Sequence, residues 1–336
     1  MPNGKTRVGV IGAGGLGQHH VRIMGELPDA QLVGFHEARV ERAAEIANTL
    51  KARAFDSVDA LLGEVDAVTI VVPTPAHYEV AKKALERGVH VLVEKPFTAT
   101  IEQADELLEL AKEKGVTVQI GHVERFNRAI RAALPYVDTP KFIESDRLAP
   151  FNPRGSDVAV VLDLMIHDID LILTLVGEQV MSVSAVGVGV LTPSVDIANA
   201  RLGFVTGAVA NITASRVSRE RMRKVRIFQQ SGYLSLDLGA GNGEFYSLRR
   251  DVDLAALAKG GPLALEAFVE RVPLEAPEGE PLRLEFESFI AAVQGRAPVA
   301  VTGEDGREAL AVALQIVQEI ERSLPALSGA AKQSSR

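Results

Sequence analysis

Asp163 and His167 stand four residues apart in "VLDLMIHDIDLIL", Val161 to Leu173, a mostly apolar stretch that also carries Asp168 and Asp170. Ionisable groups in a segment built for a core are costly unless they are paired or used. On a helix, residues four apart share a face, so Asp163 and His167 project together. An imidazole titrates near neutrality and can take a hydroxyl proton, with the carboxylate orienting the ring or contacting a substrate hydroxyl. Taken alone, the pair also reads as a structural hydrogen bond. His and Asp at this spacing can share a metal, but no further ligand motif accompanies them, so no metal is expected. Asp168 and Asp170 point elsewhere, toward backbone or arginine partners.

Further candidates follow two strand-like runs. "VLVEKPF" places Glu94, Lys95 and Pro96 at the end of one. A lysine there can donate to a substrate oxygen and stabilise developing negative charge; by frequency alone it would be a surface lysine beside a turn proline. If the Asp163/His167 face points at Lys95, the three form a proton-transfer group. "VVPTPAH" places Pro73, Thr74, Pro75 and His77 after another strand. Two prolines around one threonine make a rigid turn able to line a nicotinamide pocket, or simply a helix start. Pro73, Thr74, His77, Glu94 and Lys95 are assigned to the cofactor side.

The cofactor itself is signalled by "GVIGAGGLGQHH", with Gly12, Gly14 and Gly17 in G-x-G-x-x-G spacing and Gly15 and Leu16 inside the loop. The first glycine permits a tight turn, and the second lets a pyrophosphate approach the backbone. The third lets helix and strand pack closely, and the helix N-terminus faces the phosphates. An acid is expected about 20 residues on, and Glu37 stands there. Its carboxylate can accept from ribose hydroxyls and repel a 2′-phosphate, which favours NAD over NADP. Arg39 and Arg42 lie close enough in sequence to soften that preference. His19 and His20 pack or cap the first helical turn, or lie near the phosphates.

The elements that must position these residues are legible from periodicity. "RVGVIG", "AQLVGF", "DAVTIVV", "VHVLVE" and "VTVQIG" read as strands, and the stretches between them as helices. Strands alternating with helices predict a doubly wound parallel sheet over residues 1–121. Beyond it "ERFNRAIRAALPYV" reads as a helix and "KFIESDRL" as a strand. Gln179 to Leu248 is strand-like, with turns at "TP", "TG", "SG" and "GAGNG". Two helical stretches close the chain. The expectation is a second, α+β domain over 122–327 with a mostly antiparallel, open-faced sheet, and a disordered tail at 328–336.

Composition sets the outer bounds. A chain of 336 residues suggests about two domains. The formal net charge of −8 gives no support to wholesale nucleic-acid binding, and the absence of cysteine removes disulfides, thiolate metal sites and a cysteine nucleophile. "MPNGKTR" runs straight into a strand with no apolar signal region. No apolar run is uninterrupted enough to span a membrane. A soluble, cytoplasmic protein is the expectation.

With "GVIGAGGLG", "PTPAH", "VEKP" and the Asp-x-x-x-His of "DLMIHD" in this order, the chain resembles the Gfo/Idh/MocA oxidoreductases. The resemblance implies a Rossmann domain followed by an α/β domain whose open sheet often mediates dimers or tetramers. It implies that Lys95 is the lysine of the E-K-P motif, that Lys95–Pro96 is a cis peptide, and that Asp163 and His167 are its partners. "GHVERFN", "APFNPRGSDVAVVLDLMIHDIDL" and "ITASRVSRERMRKVRIFQ" resemble a subgroup that oxidises UDP-N-acetylglucosamine at C3. That subgroup supplies a 3-keto sugar to a partner aminotransferase in lipid A precursor synthesis. Other UDP-sugars, free sugars or inositol are alternative substrates, and a non-catalytic NAD-binding sensor is the alternative from another class.

A nucleotide sugar needs cations for its diphosphate. Arg125, Asn127 and Arg154 lie in loop-like segments near the expected active face, and "SRVSRERMRKVR" begins a basic run at Arg216. Such a run can meet a diphosphate. Alternate strand residues face opposite sides, so not all of its cations can reach one ligand, and a solvated sheet edge or subunit contact is the competing reading.

Overall fold

The computed structural model describes residues 4–152, 158–249 and 268–323. Two compact units emerge. One contains residues up to Val123 together with Gly279–Ala311, and the other contains Glu124–Glu278 and the chain from Val312.

In the first unit the alternation is realised as β1 (Thr6–Ile11), α1 (Gly17–Glu26), β2 (Ala30–His36), α2 (Val40–Leu50), a short α3 (Val58–Leu62), β3 (Ala67–Ile70), α4 (His77–Glu86), β4 (His90–Glu94), α5 (Ile101–Lys114) and β5 (Val118–Gly121). All five strands are parallel in the order β2-β1-β3-β4-β5. The interior strands β3 and β4 are almost wholly buried, as a sheet covered on both faces requires. Local chemistry sets the ends of α5. The Thr100 side chain accepts from Gln103 N–H, and Gly115 closes the helix at φ +66°.

The second unit opens with α6 (Arg128–Ala133), shorter than the long helix expected there, because 3₁₀ turns flank it at Val123–Phe126 and Leu134–Tyr136. Then come β6 (Phe142–Leu148), α7 (Ile166–Val176) and seven further strands: β7 (Val180–Val188), β8 (Ile197–Phe204), β9 (Val209–Ser215), β10 (Met222–Gln229), β11 (Gly232–Asp237), β12 (Asn242–Leu248) and β13 (Val269–Pro273). They form one eight-stranded sheet, antiparallel except where β6 pairs parallel with β9. Inward positions are apolar: Ile143, Ala198, Ala200, Leu202, Ala210, Ile212, Val225 and Ile227 are buried. Helix α7 packs on β6 and β9, and α6 on β11 and β12.

The closing helices were expected in the second domain. Instead α8 (Pro281–Val293) and the first part of α9 (Gly303–Ser323) belong to the first unit. Phe286, Phe289 and Ile290 of α8 share a buried cluster with Val8, Ile23, Met24 and Leu92. Val301 accepts the Ile120 N–H, so this segment also runs beside the outer edge of β5. Apolar burial under an open sheet face outweighs sequence proximity. Among the described residues no helix is long and apolar enough to cross a membrane. Arg154 and the expected disordered tail lie outside the described residues.

Candidate active site

The glycine loop joins β1 to α1 and shows why glycines stand there. Gly12 has φ +92°, and a Cβ on it would lie 2.5 Å from Val71 O. A Cβ at Gly17 would lie 1.9 Å from Gly12 O, so that glycine permits the close helix–strand contact. At Gly14 the nearest atom would be an Arg39 nitrogen at 3.8 Å, leaving the backbone open to a ligand. Leu16 is exposed beside it. No side chain caps the start of α1; Gln18 N–H donates to Gly14 O and His19 N–H to Leu16 O, so the helix start that faces the loop is held by backbone alone.

Glu37 ends the turn after β2. One oxygen accepts the Ala13 N–H at 3.0 Å, and the other accepts from Arg39 N–H and Nε. Burial pushes its carboxyl pKa up, but these bonds outweigh burial and hold it below the ordinary carboxylate range. It is therefore an anion fixed against the loop. Arg42 donates to Ala13 O, Gly14 O and Gln18 Oε1. Both arginines that sequence reading held against an NAD preference are thus engaged, one on Glu37 and one on the loop. An open Gly14 backbone, an uncapped helix start and a fixed acid fit a dinucleotide whose ribose carries free hydroxyls.

Two expected cofactor contacts have other duties. His77 is buried; its Nδ1 stands 2.8 Å from Pro96 O and its Nε2 2.9 Å from Val72 O. A neutral ring has one N–H, so it donates to one of these carbonyls at a time. Burial pushes the His77 pKa down despite both carbonyls and the Glu94 charge. Its ring ties the β3 turn to the β4 turn and is not available to a ligand. Glu94 is also buried, with one oxygen 3.3 Å from His20 Nε2 and the other 3.3 Å from Lys95 N–H. Burial raises its pKa, while His20 and the Lys95 charge bring it below the ordinary value. Lys95 itself is half-buried, and Lys95–Pro96 is cis. Pro73 is exposed and Thr74 half-buried in the 3₁₀ turn before α4.

In the second unit, "VLDLMIHDIDLIL" is not one regular helix. Val161–Met165 forms a π turn in which Ile166 N–H reaches back to Val161 O, and α7 follows. Single π turns inside helices are rare and cluster at functional sites. Asp163 lies in this turn and His167 in the first turn of α7. Both stay half-buried while Met165, Ile166 and Asp168 to Asp170 are buried. Asp168 accepts from Ser145 Oγ and from Arg147 at 2.6 and 3.1 Å. Arg147 also donates to Glu124 at 2.8 Å, and the two acids keep its pKa raised against burial. Asp170 is held by Arg125 through bonds of 2.6, 2.9 and 3.1 Å. The acids of this core segment thus divide: Asp168 is paired with the buried Arg147 and Asp170 with the half-buried Arg125, and Asp163 keeps partial access alongside His167.

Three residues expected at the substrate have partners within the protein. Arg125 holds Asp170. Asn127 caps α6 by accepting from Ala129 N–H and donates to Glu124 and Leu238 O. Arg216 is buried, bound to Asp196 at 2.8 Å, to Val158 O and to Ser194 Oγ. Asp196 also accepts from three successive amides, Val190 to Thr192, and Arg216 with these amides holds its pKa far below the ordinary range despite burial. Sequence reading missed this knot and Arg147. Its one signal was an isolated acid, Asp196, in a strand-like run.

Residues 6–122 match the family model described as "Oxidoreductase family, NAD-binding Rossmann fold", and residues 119–235 match that of the GFO/IDH/MocA C-terminal domain. The chain belongs to the Gfo/Idh/MocA oxidoreductases. It is an NAD-binding enzyme of this family. UDP-N-acetylglucosamine 3-dehydrogenase from Acidithiobacillus ferrooxidans is 42% identical over 95% of this chain and 98% of its own length. A solved structure of that enzyme superposes with a TM-score of 0.87 at 41% identity, covering 95% of this chain and 98% of that one. The scyllo-inositol 2-dehydrogenase (NAD(+)) of Bacillus subtilis is 30% identical over 64% of this chain and 68% of its own length. Within this Gfo/Idh/MocA chain, "VEKP" carries Lys95 and "DLMIHD" carries Asp163 and His167.

Proposed function

We propose that this protein oxidises the C3 hydroxyl of UDP-N-acetylglucosamine to the 3-keto sugar, using NAD. The observation that carries the reading is its near-full-length likeness to the Acidithiobacillus enzyme. On this reading Lys95, Asp163 and His167 act on one carbinol group. NAD, when bound, supplies the hydride acceptor for the carbon. His167 takes the hydroxyl proton, Asp163 orients the imidazole, and Lys95 donates to the same oxygen and stabilises its negative charge. Gly12, Gly14, Gly15, Leu16 and Gly17 form the dinucleotide cradle, and Glu37 reads the ribose.

The diphosphate needs donors outside this group. With the half-buried Arg125 engaged on Asp170 and the buried Arg216 on Asp196, the reading moves to the exposed Arg219 and Arg221, between β9 and β10. Arg154 stays a candidate. The product, an electrophilic ketone, suits an aminotransferase as its consumer, in lipid A precursor synthesis in the cytoplasm. We assign homo-oligomerisation to the open face of the second sheet, where Val186, Val188 and Ile197 are exposed.

The test is purified protein with NAD and a panel of UDP-N-acetylglucosamine, N-acetylglucosamine, other UDP-sugars and inositol, followed by NADH absorbance. Fastest turnover of UDP-N-acetylglucosamine, with the 3-keto product identified by mass and NMR, is expected. Preference for inositol or a free sugar sinks the nucleotide-sugar assignment.

A further inference from the structure

His20 is fully buried on α1, yet among the described residues no hydrogen bond of good geometry holds its ring. Nε2 stands 3.3 Å from Glu94 Oε1, at ion-pair distance but without hydrogen-bond geometry, and Nδ1 has no hydrogen-bond partner among the described residues. The ring rests on Phe286 of α8, with centroids 4.7 Å apart. An apolar side chain would fill that space without burying an unpaired nitrogen. The polar group that the imidazole meets is the Glu94 carboxylate.

That group is boxed in. The second oxygen of Glu94 accepts the Lys95 N–H. Behind the carboxylate lies Gly121 of β5, where a Cβ would come within 3.0 Å of it. Three elements thus converge on this carboxylate: α1 through His20, β5 through Gly121, and the turn that begins at Lys95. The far wall of His20 is Phe286, part of the core cluster of the unit. A continuous run of contacts leads from the α8 core through His20 and Glu94 to the backbone of Lys95.

We propose that His20 is a positioning residue for Lys95, acting through Glu94; this rests on the assignment of Lys95 to the reaction made above. His20 holds the carboxylate in the rotamer that accepts the Lys95 amide. The carboxylate in turn fixes where the lysine side chain leaves the backbone. Reaction geometry is more sensitive to such a displacement than ground-state binding is.

Two variants separate this from a filling role. His20→Phe keeps the ring contact with Phe286 and removes both nitrogens, whereas His20→Gln restores a polar group opposite Glu94. In His20→Phe we expect kcat to fall about tenfold to a hundredfold, with NAD affinity and KM within about threefold of the parent. His20→Gln should recover part of kcat. In ¹⁵N-lysine-labelled protein the Lys95 amide proton should move upfield in His20→Phe and back toward its parental position in His20→Gln. A folded His20→Phe with parental kcat and an unmoved Lys95 amide overturns the proposal. So does an equal loss of kcat and NAD affinity in both variants with the amide unmoved. The amide readout needs no substrate: if the parent fails to oxidise UDP-N-acetylglucosamine, the function reading falls, and the amide alone decides this one. If His20→Phe does not fold, Glu94→Gln takes its place, and parental kcat there overturns the proposal.

Discussion

Glu37 Oε2 accepts the backbone N–H of Ala13 at 3.0 Å, across the turn that a dinucleotide would occupy. The acid proposed to read the ribose is therefore also a brace of the glycine loop. Charge-assisted hydrogen bonds contribute roughly 1.5–3 kcal/mol. Glu37→Ala should weaken NAD binding about tenfold to a hundredfold and reduce the preference over NADP. Glu37→Gln keeps an acceptor for Ala13 but loses the charge, so NADP should gain while NAD loses less. Calorimetric titration with both cofactors checks this, and an unchanged NAD/NADP ratio means another residue reads the ribose.

Lys95→Met should collapse turnover about a hundredfold or more while NAD affinity holds, because the glycine loop and Glu37 are untouched. Near-parental turnover in a folded variant removes Lys95 from the mechanism. Single-turnover measurement with pre-bound NAD keeps binding and chemistry apart.

Arg216 separates a structural role from a binding one. Its removal leaves Asp196 buried without its cation, a loss that typically costs about 3–5 kcal/mol; the three amides on Asp196 should keep the loss near the lower end. The expected outcome for Arg216→Ala is a clear drop in melting temperature. Arg219→Ala and Arg221→Ala should leave stability alone and lower kcat/KM for UDP-N-acetylglucosamine but not for N-acetylglucosamine. Variants that match the parent on both substrates take the diphosphate away from this loop.

Acid should destabilise the protein through two histidines. Burial pushes His77 and His90 below the ordinary value of about 6.5. His90 Nδ1 moreover accepts the Thr117 N–H at 2.9 Å, which requires that nitrogen to be unprotonated. In this range the unfolded chain binds more protons than the folded one, so stability is full above the unfolded pKa and falls as pH drops below it. Urea midpoints measured from pH 8 down to pH 5 should decline, and His90→Asn should flatten part of the decline. A midpoint that rises on acidification contradicts the sign.

For the assembly, Val188→Lys should shift the protein toward monomer in light scattering at matched concentration. Val188 pairs in register with Ile197, so one charge disrupts two exposed apolar positions. An unchanged mass places the subunit contact elsewhere.

The sequence by itself determined what rests on local geometry. Gly12, Gly14 and Gly17 follow from backbone approach and φ, Glu37 from its distance along the chain, and the five parallel strands from short β-branched runs between amphipathic helices. Lys95, Asp163 and His167 stood out as residue types at odds with their neighbours. Tertiary structure alone decided which charges were spent. Arg125 pairs with Asp170 across 45 residues and Arg216 with Asp196 across 20, and no spacing rule announces either. An arginine that forks onto a buried acid and one that waits for a phosphate are the same letter, and they differ only in the dielectric and the partner that folding places around them. The same holds for α8: its apolar face looks alike wherever it packs, and only burial of Phe286 against His20 and the first sheet assigned it to the cofactor unit.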